Sequence, residues 1–238
     1  VIHLAGIAHS PSATAEDHFR VNAEGTRRLA RQAAEAGVRR LVFASSVKVH
    51  GEETAPGEAW TEASPTHPSD AYARSKLAAE AALREESERS GLEVVVLRLP
   101  LLYGPGVRAN LDRLFRAVAA GRPLPFGAVR NRRSLLAAAN AADALLLATS
   151  HLAAAGRTFL ARDVDYSTPE LVRAMARALG VPAKLWNIPP ALLALLPARR
   201  LRSSLLVDDR ALRETLHWSP PRDPEAEWSR TAAARLEP

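Results

Sequence analysis

"RLVFASSVKVHG", residues 40–51, decides how this chain is read. The run Leu41, Val42, Phe43, Ala44 is apolar without alternation and too short for a helix, which marks a strand buried on both faces of a parallel sheet. It ends on two serines, and in open parallel sheets the groups that meet ligands collect at the carboxyl ends of strands. Ser45 and Ser46 are therefore candidate site residues, although a serine pair placed there also reads as the cap of a turn.

Working outward, further short runs rich in Val, Leu and Ile mark strands at residues 1–5, 94–97 and 158–161. Between the first two strands, "AEDHFRVNAEGTRRLARQAAEAG" (15–37) reads as a helix that ends at Gly37. A polar loop with Pro56, Pro65 and Pro68 then leads through Ser69 or Asp70, either a good N-cap, into a helix to about Arg89 that Gly91 stops. Strand, helix, strand in this rhythm predicts an α/β fold: an incomplete doubly wound parallel sheet with a smaller C-terminal lobe. After Pro100 the turn "YGPG" (103–106) and frequent prolines place that lobe at residues 104–134 and 164–238, with 1–103 and about 135–163 in the sheet domain.

Composition narrows the function. The 238 residues are 47% apolar, enough for a sizeable core, and contain no Cys, which excludes a disulfide framework and thiolate chemistry and fits a cytoplasmic protein. "ALLALL" between Pro190 and Pro197 is far shorter than the roughly 20 residues of a spanning helix. A net charge of +6 raises nucleic acid as a partner, but acidic residues are interleaved throughout and aromatics are 5%, so no nucleic-acid role is expected. Seven His residues without metal-ligand spacing predict no metal site, and His50 and His151 read as loop or surface residues.

Only three of the 32 basic side chains are lysines, and one of them, Lys76, lies four residues after one of only three tyrosines, Tyr72, in "SDAYARSK" (69–76). On a helix both emerge on one face, one turn apart. A nearby ammonium favours the phenolate and brings the phenol toward use as an acid or base at neutral pH. A compact ammonium also reaches a ribose hydroxyl in a way that a guanidinium fork does not. Ser46, at the end of its strand, would then hold a substrate oxygen beside Tyr72.

These residues, with "VIHLAG" (1–6), "VNAEGT" (21–26), "TEASPTHPSDAYARSK" (61–76), "LRLPLLYGPG" (97–106), "NRRSLL" (131–136) and "LHWSPP" (216–221), resemble the extended short-chain dehydrogenase/reductases, in particular the NAD-dependent epimerases and dehydratases of nucleotide sugars. The resemblance covers nearly the whole chain. It implies Ser46, Tyr72 and Lys76 as catalytic residues and NAD or NADP as cofactor, faced by Ala5, Gly6, Asn22 and Pro100. It implies a nucleotide-sugar substrate, met by Lys48, Asn110 and Leu111 and, at the diphosphate, by Arg132; "RNRR" (130–133) also reads as a solvated basic turn and Lys48 as a solvated loop lysine. A homodimer through the helix of Tyr72 is a further implication.

Departures from the pattern are informative. Val47 and Lys48 stand where sugar dehydratases of this group carry an Asp-Glu pair, which points instead to a 4-epimerase or a 4-keto-sugar reductase. Ala139 replaces a common Asp without an evident reason. The Gly-rich turn that cradles a pyrophosphate would precede Val1, so an N-terminal unit is expected to be missing and dinucleotide binding by these 238 residues alone to be weak. The rival expectation is a non-catalytic or truncated relative that senses a ligand or redox state.

Overall fold

A computed structural model describes residues 1–8, 12–107, 109–193 and 199–235. The strands are β1 (Ile2–His3), β2 (Arg40–Ser46), β3 (Glu93–Leu99), β4 (Leu101–Tyr103), β5 (Arg133–Ala137), β6 (Thr158–Leu160) and β7 (Val164–Tyr166). The helices are α1 (Ala15–His18), α2 (Gly25–Glu35), α3 (Ala71–Ser90), α4 (Ala109–Ala119), α5 (Ala138–Ser150), α6 (Thr168–Ala178), α7 (Pro190–Leu193), α8 (Arg210–Leu216) and α9 (Pro224–Ala233). The apolar run after Pro190 lies partly outside the described residues, and none of the described helices is long and apolar enough to cross a membrane.

β1, β2, β3 and β6 form a parallel sheet in the order β1-β2-β3-β6. β2 and β3 pair in register from Arg40 opposite Glu93 to Ser46 opposite Leu99. Their side chains alternate as the pleat requires. Leu41, Phe43, Val94 and Val96 pack with Ala30 of α2 and with Ala79 and Leu83 of α3. Val42, Val95 and Leu97 pack on the opposite face with Ala144 and Leu145 of α5 and Leu212 of α8. Both faces are covered, which is why these strands carry no polar alternation.

Pro100 then ends β3. Without an N–H it donates nothing to the ladder, and the chain changes sheet at that residue. β4 pairs in parallel with β5, and β5 in antiparallel with β7. This second sheet, which the sequence reading did not anticipate, is covered by α4, α6 and α9: Leu135 and Ala137 pack with Leu114, Phe115, Leu171, Met175 and Trp228. The intervening Leu136 points the other way, into the core under α5. Successive residues of β5 therefore belong to two different cores, and β4 and β5 join the proposed lobes rather than divide them.

The helix predicted over 15–37 is interrupted. α1 passes through widened, π-helical turns at Phe19–Glu24 before α2 begins, and Gly37 takes the left-handed conformation (φ 72°) after α2 ends. Such bulges occur often at functional sites. α3 forms as predicted: Asp70 accepts from the Ala73 N–H at 2.8 Å, and Gly91 closes the helix at φ 75°. Replacing Asp70 with Ala is expected to cost about 1 kcal/mol, the usual worth of such a cap, and to lower the midpoint of thermal unfolding by about 3 °C.

Candidate active site

A cavity of about 1150 Å³ opens at the carboxyl ends of β2 and β3, between the two sheets. Ser46, Tyr72 and Lys76 all line it, so the strand end and the first turns of α3 bring the three predicted groups to one wall. The Tyr72 phenol lies close enough to Ser46 for that hydroxyl to favour its ionised form. Ser46 Oγ accepts from the Lys48 N–H at 3.3 Å, so this cavity-lining serine also caps its turn.

The electrostatics differ from expectation. Burial pushes the Tyr72 phenol above its usual pKa; the Ser46 hydroxyl opposes this and the nearby Asp70 charge adds to it. Tyr72 is thus a neutral phenol rather than a phenolate, because desolvation dominates. The Lys76 ammonium donates to Ala44 O at 2.9 Å and lies 4.4 Å from the centre of the Phe43 ring. Burial brings its pKa down to about 8, with Glu80 pulling it back up.

Behind this wall Asn22 acts as a clamp. Its Oδ1 accepts from the Ile7 N–H at 2.7 Å, and its Nδ2 donates to Ile7 O at 2.9 Å and to Ser75 Oγ at 2.9 Å. It does not line the cavity; it ties the loop after β1 to α3. Ala5 does not line the cavity either, whereas Gly6 does. A Cβ at Gly6 would stand 2.8 Å from Asn22 Oδ1 and 3.6 Å from Lys76 Nζ. Gly6→Ala is therefore expected to push Asn22 off Ile7 and cost about 1–3 kcal/mol, measurable by thermal unfolding.

The predicted Pro100, Lys48, Asn110 and Leu111 line the cavity too. Lys48 is not a solvated loop lysine: it pairs with Glu52 at 2.8 Å and with Asp70, and sits 5.8 Å from the centre of the Tyr72 ring. Burial works against the Asp70 charge, but the bonds from Lys48 and the Ala73 N–H hold its pKa below the ordinary value. Arg132 is not brought to the cavity. It is half exposed, donates to Asp165 O at 3.0 Å and faces Glu170 at 3.6 Å. Its neighbour Arg133 lines the cavity, with its Nη1 donating to Ser203 O at 3.2 Å and Arg200 O at 3.3 Å. The lining also holds Arg113, Arg199 and Arg200, against Glu52 as a carboxylate. Such a wall suits an anionic ligand with oxygens for bidentate contacts.

His50 is buried, not at the surface: it is 3% exposed and stacked on Trp60 at 5.4 Å. No cluster of three or more metal-ligating side chains occurs among the described residues.

A family profile described as the NAD dependent epimerase/dehydratase family matches residues 1–160. UDP-glucose 4-epimerase of Vibrio cholerae is 38% identical, in an alignment that takes in 100% of this chain and 76% of that one. This chain belongs to the NAD-dependent epimerase/dehydratase family. Solved epimerase/dehydratase structures share its fold. The complex of Thermus thermophilus UDP-glucose 4-epimerase with NAD gives a TM-score of 0.77 at 24% identity, over 99% of this chain and 77% of that one. MoeE5 in complex with UDP-glucose and NAD gives 0.78 at 24%, over 99% and 78%. Within this family the Tyr-Lys spacing and the serine at the end of β2 were legible in sequence. Arg133, which lines the cavity where Arg132 does not, was not singled out, nor was Glu80, whose only local signal is its place four residues after Lys76.

Proposed function

We propose that this chain acts as a nucleotide-sugar 4-epimerase or 4-keto-sugar reductase that uses NAD or NADP. One observation carries the reading: Ser46, Tyr72 and Lys76 line one large cavity together with Arg113, Arg133, Arg199 and Arg200. The similarity to UDP-glucose 4-epimerase supports the substrate class. Val47 and Lys48 supply no carboxylate pair for removing water, which favours epimerisation or reduction over dehydration.

The residues fit the nicotinamide cofactor. Gly6 and Lys76 line the cavity together, and Leu101 and Leu102, 40% and 37% exposed, offer apolar surface to a ring on the cavity side. When bound, the nicotinamide takes or returns hydride at its C4 and, in its oxidised form, adds the positive charge that favours a phenolate. The chain's own groups do the rest. Lys76 donates to ribose hydroxyls, Ser46 hydrogen-bonds the sugar O4, and Tyr72 gives a proton to that oxygen or takes one from it. Burial keeps Tyr72 protonated, which suits the step in which a 4-keto oxygen becomes a hydroxyl. Arg133, with Arg113 and Arg200 nearby, covers the diphosphate, while Asn110 and Leu111 stand at the base.

The test is turnover. Conversion of a UDP-hexose to its C4 epimer with NAD supports the epimerase, and oxidation of NADH or NADPH by a nucleotide-linked 4-keto-hexose supports the reductase. Binding of the nucleotide sugar, shown by calorimetry, with neither reaction overturns both.

A further inference from the structure

Beneath the wall that carries Tyr72 and Lys76 lies a buried charged cluster that the proposed chemistry leaves unused. Glu80 is 3% exposed and Arg98 is 6% exposed. Arg98 holds Glu80 with two nitrogens, Nη2 to Oε2 at 2.7 Å and Nε to Oε1 at 3.2 Å. Ser45 Oγ donates to the same Oε1 at 2.5 Å. The other arm of Arg98, Nη1, meets His50 Nε2 at 3.1 Å and Glu62 O at 3.4 Å, and His50 Nδ1 faces Pro65 O at 3.1 Å. An imidazole that donates from Nδ1 to that carbonyl offers its Nε2 lone pair to the guanidinium, so His50 is neutral here; burial, with Arg98 adding to it, keeps its pKa low.

Lys76 needs a countercharge, and its immediate surroundings supply none. Around it stand Ala44 O and the Phe43 ring from β2, Gly6 with the Asn22 amide beside it, His3 from β1, and Tyr72 one turn earlier on α3. All of these are uncharged: burial, then the Lys76 charge, lowers the His3 pKa, and Tyr72 stays protonated. Lys76 forms no ion pair with a carboxylate among the described residues. The charge that favours its ammonium comes from Glu80, one turn later on the same face of α3.

We propose that Glu80 is the buried counter-ion of Lys76, a positioning residue that keeps the ammonium charged and directed at the cavity, and that Arg98 and Ser45 hold Glu80 in place for this purpose. A bidentate guanidinium and a hydroxyl fix both oxygens of that carboxylate. Distance from Lys76 matters as well. A carboxylate bonded directly to the ammonium would occupy its donors, whereas one a turn away attracts the charge and leaves donors free for a ligand. The two serines of β2 thus divide the work: Ser45 fixes the counter-ion, and Ser46 lines the cavity with Tyr72.

That Lys76 serves a cofactor rests on the function proposed above; the counter-ion relation does not, and its test needs no turnover. The chain has only three lysines, Lys48, Lys76 and Lys184, so labelling lysine with ¹³C at Cε gives three resonances to follow against pH. In the unaltered chain Lys76 is expected to lose its proton at about pH 8. In Glu80→Gln its proton affinity falls about tenfold, while Lys48 and Lys184 titrate as before. Glu80→Asp keeps the carboxylate and restores the midpoint. An unchanged Lys76 midpoint in Glu80→Gln overturns the proposal, and so does a fall in Glu80→Asp as large as in Glu80→Gln. Should Glu80→Gln fail to fold because Arg98 is left unpaired, the double variant Glu80→Gln, Arg98→Gln removes both buried charges and carries the same test. Its Lys76 midpoint falls too; one that stays or rises overturns the proposal. A chain that shows no turnover but passes this titration overturns the epimerase or reductase reading alone.

Discussion

Tyr72→Phe is expected to lower turnover of a nucleotide-linked hexose by about 10²–10⁴-fold, the usual worth of a positioned general acid or base. The exchange removes one oxygen and leaves the ring where it was, 6.2 Å from the His18 ring in an edge contact, so folding and ligand affinity are expected to change little. The loss belongs in kcat. Ser46 would still hold the substrate oxygen, but no group would stand in the phenol's place to supply its proton, since Lys48 is committed to Glu52 and Asp70. Steady-state kinetics of the two proteins side by side, with binding measured separately, check this. A kcat within about threefold of the unaltered chain removes Tyr72 from the mechanism.

Trp228→Ala carries the largest expected loss of stability. Trp228 is 1% exposed and stacks on Tyr103 at 4.5 Å and on Phe115 at 6.3 Å. Emptying a site of this size costs about 3–5 kcal/mol, since the surrounding side chains close over the gap only in part. For a chain of this length the midpoint of thermal unfolding is expected to fall by about 10 °C. Tyr103 also lines the cavity, so the same change loosens part of its wall. Differential scanning calorimetry decides the first part; a fall of under about 2 °C means that Trp228 is not part of the packed core.

How much of this was legible in sequence follows from how locally each feature is encoded. Buried strands announce themselves by unbroken apolar runs, so β2 and β3 were located from residues 40–44 and 94–97, and their ends were underestimated at Ser45, Ser46, Glu93, Arg98 and Leu99, where polar side chains break or flank the runs. Asp70, Gly91 and the Tyr72–Lys76 spacing act within one or two turns of helix and were read correctly as local signals. β4 was missed because three residues directly after a proline leave no room for a pattern, and its Leu101 and Leu102 are exposed to the cavity rather than buried. Arg132 was chosen over Arg133 because strand alternation sends neighbours to opposite sides, and the register of β5 depends on pairing with residues about 30 positions away. That His50, in its turn, is buried could not be read for a similar reason: its partners Trp60, Pro65 and Arg98 come from three different segments.

The sharing of β5 has a consequence for how the molecule comes apart. Leu135 and Ala137 are rooted in one core and Leu136 in the other, so neither half can melt while the strand between them stays in place. The chain is therefore expected to denature in a single cooperative step, and amide protons of β5 to exchange only through that global event, at the same free energy as those of β2.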